Sequence, residues 1–244
     1  MIEKNEKGGA SMLIVRILLA LAVLPAILLM AYIYRKDSIE KEPIGLLILM
    51  AVSGAVSCVP ASWLERLGTA LLNTFAPALS SLSYAAAEAF LIVALAEEGC
   101  KLFFLKKLTW NNREFNYRFD GIVFSVFVGL GFAAFENILY VFNYGPGVLA
   151  SRGLLAIPGH MTFAIFMGIF YSQAKINSHY GYEQGRRRNM RLALLVPMLL
   201  HGFYDFCLMS GLRFLSLAFF LFVALLDFAA LKAIKFSSKN DQAL

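Results

Sequence analysis

Four small groups of polar, mostly ionisable residues stand inside otherwise apolar stretches of this 244-residue chain. Glu97, Glu98 and Lys101 form the first, Glu136 and Asn137 the second, His160 the third, and His201 with Asp205 the fourth. An ionisable side chain in an apolar span is costly, so each calls for a partner or a task. Lys101 follows Glu97 by four residues and Glu98 by three, so its ammonium reaches either carboxylate on one helix face. Asp205 follows His201 by four, where it can orient the ring or hold its proton. Such carboxylates and imidazoles suit activation of a water by a general base, with a second group donating a proton to a leaving amine. They equally suit a divalent metal such as zinc, held from Glu97, Glu136, His160 and His201. Neither H-E-x-x-H nor G-x-S-x-G occurs. Cys58, Cys100 and Cys207 lie in apolar runs without CxxC spacing, which disfavours a disulfide framework and a cysteine nucleophile.

The elements that must position these residues read as membrane-spanning helices. The chain is 59% hydrophobic and only 16% charged, with a mean hydropathy of +0.68. A soluble domain would be about a quarter charged. The net charge of +6 is then the sum of basic loops, not a nucleic-acid surface. Apolar stretches near the length of a spanning helix cover 12–34, 43–60, 82–105, 121–142, 153–174, 190–211 and 214–234. The first lacks a cleavage site and reads as an uncleaved anchor. The expected fold is an all-α bundle of about seven spans. Residues 61–81, with Trp63, Glu65, Arg66 and Asn73, read as an interfacial helix between spans two and three. Lys and Arg alternate along the loops, 3, 4, 5 and 3 on one side against 2, 1, 1 and 1 on the other. That bias puts the N-terminus outside and the C-terminus in the cytoplasm. The run Arg186-Arg187-Arg188 reads as part of the topology signal, with an anionic-lipid contact as the other reading. The whole chain, 1–244, forms one membrane domain, with an N-terminal extension at 1–11 and a cytoplasmic tail at 235–244.

At about 1.5 Å of rise per residue, Glu97 falls near the middle of its span, and Glu136, His160, His201 and Asp205 in the middle-to-outer part of theirs. All five can therefore meet in one layer. Gly129 and Gly131 precede Glu136 and permit close approach of a neighbouring helix. Glu88 and Asp227 read as structural, and His179 as a loop residue.

At these residues the sequence resembles the PrsW family of bacterial intramembrane proteases, within the superfamily of prenyl-protein (CAAX) endopeptidases. The motif E-E-x-x-K stands as Glu97-Glu98-Gly99-Cys100-Lys101, and F-x-x-x-E-N as Phe132-Ala133-Ala134-Phe135-Glu136-Asn137. Pro158-Gly159-His160 and H-G-x-x-D-F, as His201-Gly202-Phe203-Tyr204-Asp205-Phe206, come next in order. The resemblance implies an endopeptidase that cleaves a membrane-anchored, anti-sigma-factor-like protein on its extracytoplasmic side as a first step of regulated proteolysis. It makes Glu97 and Glu98 the catalytic carboxylates and His201 an essential histidine. Glu136 takes the place where prenyl endopeptidases have a catalytic histidine, which leaves metal-dependent and metal-free glutamate mechanisms both open. The expected catalytic set is Glu97, Glu98, Glu136, His160, His201 and Asp205, supported by Lys101 and Asn137. The expected partners are a single-span membrane protein and the lipid bilayer, without nucleic acid, in a bacterial cell membrane. A transporter or a non-catalytic membrane scaffold would be built from the same buried polar residues. The chain shows no repeat symmetry of the transporter kind.

Overall fold

A computed structural model describes residues 2–244, with side chains from Met12 onward; the N-terminal extension 1–11 lies outside the side chains described. Seven long helices account for the fold. They are α1 (Ile2–Lys36), α2 (Ile44–Phe75), α3 (residues 81–109), α4 (Asp120–Tyr144), α5 (Pro146–His179), α6 (Glu183–Met209) and α7 (Arg213–Lys239). All but α3 are long and apolar enough to cross a membrane. In α3 the run is interrupted by Glu88, Glu97, Glu98, Lys101, Lys106 and Lys107, the cost of carrying part of the site. Among the described residues no extended strand forms. In an apolar medium a helix satisfies its own backbone, which explains the choice of element.

The second helix departs from the expectation of a short span followed by a separate interfacial helix. It continues through Pro60 as one helix of 32 residues, about 48 Å long and so longer than a hydrocarbon core of about 30 Å. Pro60 removes one backbone bond, a defect that spanning helices tolerate when neighbours compensate. The continuation brings Glu65 alongside α3, which an interfacial segment would not have done.

The centre of the bundle is α4. Every residue from Asp120 to Ala134 is buried, so this helix is apolar all round rather than on one stripe. It packs against α1, α2 and α5, while α6 packs on α3 and α5. The α2–α4 crossing is a backbone-to-backbone contact. A Cβ on Gly54 would stand 1.9 Å from the Val128 carbonyl oxygen, and one on Gly131 would stand 2.0 Å from that of Ala51. Gly129 lets α5 approach in the same manner, since its Cβ would meet Ala164 at 2.7 Å. Ser125 Oγ donates to the Ala164 carbonyl at 2.8 Å and adds an interhelical hydrogen bond. Large apolar side chains on α1, α2 and α7, such as Leu28, Trp63 and Leu217, remain exposed, as lipid-facing surfaces require.

The basic ends of the helices gather at one end of the bundle. Lys175 donates to the Trp110 carbonyl, and Ser238 to that of Lys36. Residues 235–239 extend α7, and the last residues fold back along the α3–α4 loop. There the Arg118 amide donates to the Gln242 carbonyl and the Phe119 amide to Asp241. The segment expected as a tail is thus docked.

Candidate active site

The local backbone is unusual just where the polar residues begin. Residues Ala87–Ala94 of α3 form a π-helical stretch that ends three residues before Glu97. A second, Arg152–Ala156, precedes His160 on α5. π turns insert residues into a helix and change the facing of the residues beyond them, and they occur often at functional sites.

Lys101 is the hub. Its ammonium donates to Glu97 Oε2 at 2.9 Å, to Glu98 Oε1 at 2.8 Å and to His160 Nδ1 at 3.1 Å. An ammonium has three protons, and here all three are used. The ring of Phe132 lies below, its centroid 4.0 Å from Nζ. With Nδ1 accepting, His160 carries its proton on Nε2, which donates to Glu136 Oε2 at 3.1 Å. His201 is bracketed by carboxylates: Nδ1 is 3.0 Å from Glu98 Oε1, and Nε2 is 3.3 Å from Asp205 Oδ2. The i, i+4 relation of His201 and Asp205 is therefore realised, as are both pairings of Lys101. Phe163 stacks on the His201 ring with centroids 4.8 Å apart. Glu97, Glu98, Lys101, His160 and His201 are all buried.

The structure brings all six residues of the expected catalytic set into this network, although they come from four helices. Asn137, the expected support, donates to the Ala22 carbonyl of α1 at 2.7 Å and accepts from Arg152 Nε at 3.0 Å. The four donors that converge as a potential metal set are Glu97, Glu98, His160 and His201, mutually within 4.8 Å, so Glu98 stands where Glu136 was expected. Glu136 lies on the far side of the His160 ring, held by Arg152 Nη2 at 2.6 Å. Glu88 and Asp227 serve as structural acceptors, for Thr69 and Thr162.

Two residues of the site escaped the sequence reading. Arg152 counted only as a loop charge, yet its guanidinium binds Glu136 and lies 3.6 Å over the Tyr140 ring. Its place eight residues before His160 on the same helix was the available signal. Glu65 had no signal beyond a polar position in an ambiguous stretch.

A cavity of about 520 Å³ opens onto the network, with Glu97, Glu136, His160, His201, Asp205 and Glu65 in its wall. A smaller one of about 220 Å³, between α2 and α4, is lined by Ser62, Arg66 and Asn143, and shares Glu65, Glu97 and Glu136 with the first. Glu97 faces both cavities. Glu98 faces neither.

Carboxylates and imidazoles in a buried layer of a multi-span bundle, next to a cleft, match what comparison with known proteins returns. Residues 42–230 match the model of the PrsW family intramembrane metalloproteases. The chain belongs to the PrsW family. The Protease PrsW of Oceanobacillus iheyensis is 34% identical to it, over 91% of this chain and 97% of that protein. The Protease PrsW of Clostridioides difficile is 35% identical over 86% of each, and that of Bacillus subtilis 31% identical over 84% of this chain and 90% of its own. No solved structure matches the chain significantly. As a PrsW family member it is an intramembrane protease, a multi-pass membrane protein whose substrates are membrane proteins.

The donor set suits a metal, as expected of a family of metalloproteases. Two carboxylates and two imidazoles are ligands zinc accepts, and the four converge without backbone rearrangement. Lys101 contacts three of the same residues, so this arrangement already holds one positive charge among them. Glu97, Glu98, His160 and His201 are the residues that would hold a metal. When bound, it would polarise the scissile carbonyl and favour ionisation of a water.

Proposed function

We propose that this chain hydrolyses a peptide bond of a single-span, membrane-anchored substrate with Glu97 as general base. The observation that carries the assignment is the division of labour between two adjacent glutamates. Glu97 lines both cavities, whereas Glu98 is turned inward and occupied by Lys101 and His201. The substrate strand occupies the larger cavity, and the smaller, polar cavity brings water to Glu97 from the opposite side. Glu97 takes a proton from water as its oxygen bonds to the scissile carbonyl carbon. The carbon–nitrogen bond then breaks and that proton passes to the leaving amine. His201, held between Glu98 and Asp205, and His160, held between Lys101 and Glu136, line the same cavity and fix its polar wall around Glu97.

Orientation supports an extracytoplasmic cleavage. Lys and Arg gather at one end of the bundle, and by the positive-inside rule that end is cytoplasmic. Glu97 lies twelve residues before the end of α3, about 18 Å from the basic end. Arg152 and Glu136 lie further toward the opposite end. A substrate cut near that face fits the first cleavage of an anti-sigma-factor-like protein in a bacterial cell membrane.

Reconstitution with a single-span substrate tests the assignment. Glu97→Gln should lower kcat by about 10²–10⁴-fold while leaving the melting temperature close to wild type. Cleavage by Glu97→Gln at the wild-type rate would overturn it. Removal of metal by chelation, with zinc added back, separates the two mechanisms: loss and recovery of activity places a metal in the reaction, and full activity of metal-free protein excludes one.

A further inference from the structure

At the basic end of the bundle, α3 and α6 diverge to leave a groove of about 430 Å³. Its walls change character along their length. Gly99, Phe103 and Leu194 form an apolar floor, and Lys106, Arg187 and Arg191 form a cationic rim. The floor is open at Gly99, where a Cβ would meet nothing within 4 Å. A second hollow of about 720 Å³ lies along α6 and shares Arg187 and Arg191 while adding Arg188. Arg186 and Arg187 are engaged by Glu183. Among the described residues Lys106, Arg188 and Arg191 have no ion-pair partner. Phe103, exposed by 60%, and Leu195 extend the apolar surface toward the lipid.

We propose that this groove seats an anionic phospholipid, its phosphate between Lys106 and Arg191 and an acyl chain along Gly99, Phe103 and Leu194. The combination selects among occupants by charge and shape. A zwitterionic lipid would leave the cations uncompensated, and free phosphate would leave the apolar floor bare. A lipid with a net negative headgroup satisfies both halves at once. Gly99 and Phe103 of the floor lie on the same helix as the Glu97–Glu98–Lys101 network, and Leu194 on α6, so lipid bound there braces the helix that carries the network against its neighbour.

The test uses the full chain, delipidated in detergent, and does not depend on proteolytic activity. Melting temperature is followed during titration with phosphatidylglycerol, phosphatidylcholine or inorganic phosphate. Phosphatidylglycerol should give a saturable rise, and the other two none. Lys106→Ala with Arg191→Ala should weaken the apparent affinity by about thirty-fold, from roughly 1 kcal/mol per basic residue near an anionic surface. Lys106→Arg should retain it. Lys232→Ala with Lys235→Ala, which removes two exposed charges from α7, should leave the titration unchanged. Equal response to the two lipids, saturation by phosphate alone, or equal weakening by the α7 pair would each overturn the proposal.

Discussion

The ammonium of Lys101 reaches His160 Nδ1 at 3.1 Å, joining α3 to α5 and setting the tautomer of the ring. Through that one contact the cation that pairs with Glu97 and Glu98 also aims the Nε2 proton of His160 at Glu136. Ion pairing and proton placement are thus both the work of a single side chain.

Lys101→Met should therefore destabilise the protein by about 3–5 kcal/mol, because it leaves two buried carboxylates without their cation. Combination with Glu98→Gln should recover part of the loss by removing one of the orphaned charges, a non-additivity that thermal melts of the single and double variants would reveal. Equal melting of wild type and Lys101→Met would contradict the role.

Arg152→Ala leaves Glu136 without its closest partner, a charge-assisted bond worth about 2 kcal/mol. The variant should fold and lose kcat more than it raises KM, since Arg152 acts by positioning Glu136 and, through it, His160. Arg152→Lys should restore part of kcat. A pure KM effect would instead make Arg152 a substrate-binding residue.

The α2–α4 crossing has no room for a side chain at Gly131. Gly131→Ala should cost about 3 kcal/mol or more, because the new carbon would collide with a backbone carbonyl rather than a flexible side chain. Gly45→Ala on the same α2 has open space and should be neutral or slightly stabilising. Detergent melting of the pair checks the contrast.

At the basic end, the α1–α2 loop buries Asp37 and Glu42. Burial, reinforced by the neighbouring Asp120 carboxylate, pushes Glu42 up to about 9. Burial likewise raises Asp37 to about 6, against the attraction of Lys41. A carboxyl raised in the folded state adds stability below its unfolded pKa and loses it as pH rises through the folded value. Stability should accordingly decline as pH climbs through about 6 and on toward 9. Glu42→Gln should flatten the upper part of that decline. Melting temperature against pH for the two proteins decides it, and parallel curves would count against the buried-carboxyl account.

Much of this protein was legible in one dimension, for a physical reason. A bilayer imposes helix and length on its spans, so hydropathy alone located seven helices, and the i, i+4 spacing of Glu97 with Lys101 and His201 with Asp205 dictated pairs that form within single helices. Local geometry needs no tertiary information. What the chain order could not supply was the rotation of each helix about its axis. That rotation decided that Glu97 faces the cavities while Glu98 turns inward, that Glu98 rather than Glu136 is among the four converging donors, and that Asn137 bonds the α1 backbone. It also carried Arg152 and Glu65 into the site from positions that looked like a loop charge and an interfacial segment. The two π-helical stretches and the glycine contacts set those rotations. Each depends on which backbone lies opposite, and that partner exists only once the bundle has assembled.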